Sequence, residues 1–234
     1  MPIVTFGSSK GGAGKSTLCG NIVVQHMAND ANTILIDSDV QRSSSRWAAL
    51  RSQQGASPAV TCFQKVDDTP QGNKSQYGQD ILTLNKNYSS IFIDVAGRNS
   101  RELRGAMLVT DLLVYPVRVS MFDLWTLDDD MAMLSESRIA NPNLLCMIVL
   151  NDVSPHAAKR VTEVQEAMEY LSQYLHPGMT FVAETRIHGR SCVKAVVSQG
   201  ITVNEIARKD KSAKQSIDEF RGLYSEIAAC FGQA

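Results

Sequence analysis

The chain of 234 residues is short of several things, and each shortage excludes something. No stretch approaches 18 uninterrupted apolar residues, so no segment is expected to span a bilayer. The opening MPIVTF lacks a basic region followed by a long apolar run, so it does not read as a secretory signal. Charge of one sign is also missing: the net is −1, which leaves no global field to draw the protein onto nucleic acid or lipid. Any such binding must come from a local patch. The five cysteines (Cys19, Cys62, Cys146, Cys192, Cys230) are scattered, and no pair has metal-ligand spacing. Free thiols in a reducing cytoplasm are therefore expected rather than a disulfide framework. The four histidines (His26, His156, His176, His188) show no metal spacing either. Internal repeats, low-complexity tracts and an obvious linker are absent. With 44% hydrophobic and 20% charged residues, residues 1–234 are expected to form one ordinary folded domain.

What is present starts with SSKGGAGKST, Ser8 to Thr17, directly behind the short apolar run Ile3–Phe6. A strand, a glycine-rich turn, a lysine and a Ser/Thr pair opening a helix form the layout of a phosphate-binding loop. Gly11, Gly12 and Gly14 can take backbone angles closed to other residues. Successive N–H groups, including that of Ala13, can then turn inward as an anion nest at a helix N-terminus. Lys15 offers a charge to the β- and γ-phosphates, and Ser16 a hydroxyl to Mg²⁺, with Thr17 beside it. Ser9 stands where the usual pattern has its first glycine, and a second lysine, Lys10, stands at the front of the loop.

The remaining pattern alternates strands and helices. Strands are expected at Thr33–Ile36, Ala59–Val66, Ile91–Ile93, Leu112–Val117, Leu144–Leu150 and Met179–Val182. Helices are expected from about Lys15 to Asn29, Ser43 to Gln54, Leu124 to Arg138, Ala157 to Tyr174 and Lys214 to Phe231, with an exposed loop over Asp67–Gly78. Strands that are continuously apolar, without polar alternation, are buried on both faces. The fold class is thus α/β, a mostly parallel twisted sheet with helices on both faces. Two acidic groups fall at strand ends, the edge where such sheets gather ligands. Asp37 and Asp39 close ILIDSDVQ, and Asp94 closes IFIDVAGR, with Gly97 three residues on.

The pattern K-G-G-x-G-K-[ST], formed by Lys10 to Ser16, resembles the deviant Walker A motif of the ParA/MinD family of partitioning and positioning ATPases. D-x-D-x-Q at Asp37–Gln41 is similar to that family's D-x-D-P-Q, with Val40 in place of proline. DVAGR at Asp94–Arg98, the run around Pro116, Asp123 and Trp125, and TRIHGRSCVKAVVSQGITVNE resemble its small plasmid-type members. The resemblance implies a P-loop NTPase fold, ATP/ADP and Mg²⁺ as cofactors, and slow, activator-stimulated ATP hydrolysis. It implies Lys10, Lys15 and Asp39 as catalytic residues, with Ser16, Asp39 and Asp94 at the metal. Gly97 would approach the γ-phosphate and Asn151 would read the adenine ring. Lys10, with no work in its own subunit on this reading, would cross to the nucleotide of a second copy in an ATP-dependent homodimer.

Between Arg186 and Arg221 eight Lys/Arg stand against four acids. The family uses basic residues of this region for DNA binding without sequence preference, which selects Arg186, Arg190, Lys194, Lys209, Lys211 and Lys214 here. A ParB-like adaptor or activator, a nucleoid-associated location in the cytoplasm, and a plasmid, chromosome or protein assembly as cargo follow from the same resemblance. The first strand begins at residue 2 or 3, so a preceding helix-turn-helix reader is not expected. Two alternatives share the scaffold. A MinD-like membrane switch needs a basic amphipathic tail. The last helix has the apolar stripe Ile217, Phe220, Tyr224, Ile227, Phe231, yet Asp218, Glu219 and Glu226 oppose Lys214 and Arg221 on its polar face, so no membrane contact is expected. A metabolic or assembly ATPase of the nitrogenase-reductase type needs cluster-holding cysteines, and C-x-x-C spacing is absent.

Overall fold

The structure, a computed structural model, describes residues 2–70, 75–97, 100–206 and 211–232, with nothing said of the side chains of 157–159. Seven strands form one sheet: β1 (Ile3–Phe6), β2 (Thr33–Ser38), β3 (Cys62–Gln64), β4 (Ser90–Val95), β5 (Leu112–Arg118), β6 (Leu145–Asn151) and β7 (Thr180–Val182). Their order is β3-β2-β4-β1-β5-β6-β7, and every ladder pairing is parallel. Nine α-helices and two single-turn 3-10 helices (Ser172–Tyr174 and Val203–Glu205) complete the described chain, the α-helices being α1 (Lys15–Met27), α2 (Ser43–Gln53), α3 (Tyr77–Leu84), α4 (Arg101–Met107), α5 (Met121–Leu124), α6 (Leu127–Ala140), α7 (Ala157–Leu171), α8 (Ser191–Val197) and α9 (Lys211–Ala229).

The two-residue alternation of strand side chains divides the core between the faces of the sheet. Ile34, Ile36, Ile91, Ile93, Leu113 and Tyr115 pack under Tyr77, Ile81, Leu103 and Leu134 of α3, α4 and α6. Val4, Phe6, Leu35, Phe92, Val114 and Met147 pack under Leu18, Ile22, Trp47, Val196 and Phe220 of α1, α2, α8 and α9. Both faces are dry, which is why these strands read as unbroken apolar runs.

Several expectations need adjustment. The strand expected over Ala59–Val66 shrinks to the three residues of β3, an edge strand paired only with β2. The expected helix from Leu124 is two helices, because Thr126 turns back and donates its hydroxyl to the Asp123 carbonyl at 2.7 Å. The loop expected to Gly78 gives way to α3 at Tyr77, whose side chain is fully buried. The five thiols are free, Cys19 and Cys146 buried and the other three half-buried. In α9, Ile217, Phe220 and Ile227 are buried and Tyr224 and Phe231 pack beside them, so the apolar stripe of the last helix is spent on the core. No helix among the described residues is long and apolar enough to cross a membrane.

Register positions the chemistry. Asp37 lies directly beside Asp94 across β2 and β4, Phe6 lies beside Asp94 across β1 and β4, and Arg118 lies beside Asn151 across β5 and β6. All of them stand at the carboxyl edge of the sheet, where the loop after β1 also emerges.

Candidate nucleotide site

Gly12 (φ 74°) and Gly14 (φ 96°) hold the left-handed conformations that turn the loop into α1. A side chain at Gly14 would also overlap Nδ2 of Asn151. That amide lies so close because it donates to the Ala13 carbonyl at 2.6 Å. Asn151 thus lines the cleft, with its amide committed to the loop itself. Arg118 donates to the Gly12 carbonyl and its Nε lies 3.8 Å from Asp152 Oδ2. Gly14→Ala would combine backbone strain with a steric clash, and a loss of nucleotide binding of at least about tenfold is expected by titration calorimetry.

Lys15 is 7% exposed, and its ammonium donates to the Lys10 carbonyl at 2.8 Å. Burial lowers its pKa, opposed by the nearby carboxylates of Asp94, Asp39 and Asp130. Gly97 closes over this group: a methyl there would stand 3.0 Å from Lys15 Nζ and from the Gly11 backbone. Ser16, Asp39 and Gln41 complete a cleft of about 620 Å³.

The three acids have different tasks. Asp37 is fully buried and consumed by the backbone, accepting from Asp39 N at 3.1 Å and Ser45 N at 2.7 Å. Asp39 is half-exposed toward the cleft and accepts from Gln41 N at 2.8 Å. Asp94 is buried; its Oδ2 accepts from Ser44 Oγ at 2.6 Å, while Oδ1 is buried without a hydrogen-bond partner. Burial pushes the Asp94 carboxyl up to about 6, against the Ser44 and Ser16 hydroxyls, which hold it down.

This raised value has a sign. A carboxyl whose folded pKa lies above its unfolded one contributes most to stability when protonated, below about 4, and the contribution is lost as pH rises through about 6. The difference is on the order of 3 kcal/mol. Asp94→Asn is therefore expected to raise the melting temperature of the nucleotide-free protein at pH 7.5 and to flatten its dependence between about pH 4 and 6, read by thermal melts.

The structure corrects one expectation about Lys10. Its ammonium has a partner in its own chain, Asp123 Oδ1 at 3.3 Å, with the lysine side chain 40% exposed and the aspartate 10%. Asp130 accepts from the Ser9 backbone at 2.8 Å. Arg118, Ser44, Asp123 and Asp130 were given no site role by the sequence reading. Only Arg118 carries a readable signal, a charge at the carboxyl end of an apolar strand.

The basic C-terminal residues divide. Arg186, Lys194, Lys211 and Lys214 are exposed. Arg190 is 8% exposed and held by Glu219 at 2.5 Å, while the same carboxylate takes His188 Nδ1 at 2.8 Å. Lys209 lies outside the described residues. Arg160 of α7, distant in sequence, lines one groove with Arg190, Ser191, Lys211 and Gln215.

A residue set of this kind suits a magnesium nucleotide. The loop amides and Lys15 can take phosphate oxygens, the unpartnered Asp94 Oδ1 and the Ser16 hydroxyl can serve a hydrated cation, and the glycines leave the phosphates room. Among the described residues no group of three His, Cys, Asp or Glu could hold a metal ion. An all-parallel sheet with a glycine-rich loop and a buried lysine at its carboxyl edge defines a P-loop nucleotide-binding protein.

Residues 2–137 match the family described as ATPase MipZ, and the chain belongs to this ParA/MinD-type family of ATPases. It is 26% identical over 157 residues to Protein ParA of Rhizobium radiobacter, a match that spans 66% of each chain. The fold resembles a plasmid partition protein of Borrelia burgdorferi solved with AMPPNP (TM-score 0.67, 17% identity, 97% of this chain and 99% of that one). It also resembles the septum site-determining protein MinD of Pyrococcus horikoshii solved with Mg-ADP (TM-score 0.67, 16% identity, 97% and 95%).

Proposed function

We propose that this chain is a partition or positioning ATPase that works as a nucleotide switch. With ATP it dimerises and holds DNA without sequence preference; on hydrolysis it lets go. The observation that carries this reading is Lys10, a half-exposed cation of the phosphate loop whose ion-pair partner in its own chain is one carboxylate. The lysine side of the pair is open to water while Asp123 is nearly buried, so Lys10 can swing to the phosphates of a second copy, whose charge must outweigh the lost pair.

In this mechanism the loop amides and Lys15 bind the β- and γ-oxygens. Ser16, Asp94 and Asp39 would hold Mg²⁺, which would supply positive charge to offset that of the phosphates. Asp39 orients water and takes its proton. Lys10 brings positive charge from the partner subunit, as an arginine finger does in other P-loop enzymes. Gly97 lies against the loop with no side chain between, so its N–H can report the loss of the γ-phosphate.

The DNA side rests on charge and placement. Arg186, Lys194, Lys211 and Lys214 are exposed, and Arg160 adds a cation from outside the C-terminal stretch. Gly189 and Arg190 line both this groove and the cleft beside Gly14 and Thr17, giving the two sites a shared wall. The docked α9 stripe favours DNA over lipid as the surface held. A ParB-like adaptor would supply activation and cargo. Binding to random duplex DNA, measured with ADP, ATP and AMPPNP over a salt series, tests the reading. Tight binding with ATP or AMPPNP only, weakening steeply with salt, is the expected result. Binding indifferent to nucleotide, or none, overturns it.

A further inference from the structure

Asp130 is a buried carboxylate, 1% exposed, with no lysine or arginine on it among the described contacts. One oxygen, Oδ2, takes two donors: the Ser9 backbone N–H at 2.8 Å and the Tyr115 hydroxyl at 2.5 Å. The acid stands in the first turn of α6, where unpaired helix amides favour negative charge. Tyr115 belongs to β5, an inner strand beside the central β1, so the carboxylate is fixed from the sheet side and from the helix side.

What it holds is the entry of the phosphate loop. Ser9 occupies the position where the general pattern places glycine. The next residue, Lys10, offers the carbonyl on which the Lys15 ammonium rests at 2.8 Å. One short path therefore runs from α6 through Ser9 and Lys10 to the cation that meets the phosphates. The side chain of Lys10 is held by the same stretch of chain, at Asp123.

We propose that Asp130 is a positioning residue of the nucleotide site: by gripping the Ser9 N–H it fixes the start of the phosphate loop, and so sets where the Lys10 carbonyl and the Lys15 ammonium stand. The residue touches no phosphate and acts through the loop. This rests on the nucleotide reading of the cleft.

The test is titration of Mg²⁺–AMPPNP into the full chain, beside melting temperatures without nucleotide and the dependence of hydrolysis on ATP concentration. Asp130→Ala is expected to weaken AMPPNP about tenfold, the scale of one lost hydrogen bond to a charged group, with the defect falling mainly on KM rather than kcat. Asp130→Asn keeps an oxygen acceptor in place and is expected to stay within about threefold of wild type. Tyr115→Phe removes the other donor to the same oxygen. It is expected to lower the melting temperature while leaving affinity within about threefold. Wild-type affinity in Asp130→Ala, or an equal loss in Tyr115→Phe, overturns the proposal and leaves Asp130 a purely structural group. If Asp130→Ala does not fold, Asp130→Glu decides: it keeps the charge but displaces the acceptor, and wild-type affinity there also overturns it. Failure of the wild-type chain itself to bind AMPPNP would remove the nucleotide reading, and this inference with it.

Discussion

Lys10→Ala is expected to bind AMPPNP as a monomer, with near-normal affinity, and neither to dimerise with it nor to turn ATP over. The two lysines of the loop are not equivalent. Lys15 is buried among Asp94, Asp39 and Asp130 and faces its own cleft. Lys10 is 40% exposed, and its ion-pair partner Asp123 is nearly buried at 10%. Removing Lys10 leaves the Asp123 carboxylate, only 10% exposed, without its cation, so the variant should fold but melt somewhat below wild type. The loss falls on a step that needs a second subunit. A cation supplied in trans to phosphoryl transfer is worth about 10³-fold or more in kcat. Light scattering with AMPPNP and phosphate release with ATP read the two halves separately. Lys10→Arg is not expected to rescue, because a planar guanidinium does not replace a compact ammonium against closely packed backbone. An alanine variant that dimerises with AMPPNP and hydrolyses normally would remove the trans role.

Which parts of this site can be read from the sequence follows from how far apart the interacting groups lie along the chain. The loop from Ser8 to Thr17 and the strand-end acids Asp39 and Asp94 are local patterns: a glycine spacing, or a carboxylate closing an apolar run. The inner strands beyond the loop were visible as continuous apolar runs because both sheet faces are covered there, whereas the half-exposed edge strand β3 was over-extended. Helices α4 and α8, seven residues each, are too short to show a period and were missed. Asp130 on Ser9 and Asn151 on Ala13 join residues more than a hundred positions apart, and nothing local announces them. Charge counting had a related blind spot. It included Arg190 among the DNA contacts, but could not see Glu219, 29 residues on, take that guanidinium into an ion pair. The same count left out Arg160, which sits outside the basic stretch and reaches the groove only through the packing of α7.

Asp39→Ala should separate hydrolysis from everything before it: nucleotide binding and dimer formation retained, turnover reduced by about 10² to 10⁴-fold, the range for removing a positioned general base. The neighbouring acid supplies the control. Asp37 is two residues away on the same strand end, equally charged and equally close in sequence to the loop's partners. Yet both its oxygens are filled by the Asp39 and Ser45 amides, and no part of it is exposed. Asp37→Ala leaves two part-buried N–H groups unpaired, that of Asp39 just after β2 and that of Ser45 in the first turn of α2, at a cost of up to about 1–3 kcal/mol for each. It should therefore lose stability first and activity as a consequence. Asp39 leaves only the Gln41 amide, in an exposed turn where water can replace it, so its alanine variant should melt close to wild type. On DNA the two should diverge again. An Asp39→Ala dimer that cannot hydrolyse stays in the bound state, and its release from duplex DNA after ATP removal should be slower than that of wild type. Phosphate release, melting temperature and dissociation from immobilised DNA give three readouts. Normal turnover in Asp39→Ala would pass the water-positioning role to another group in the cleft.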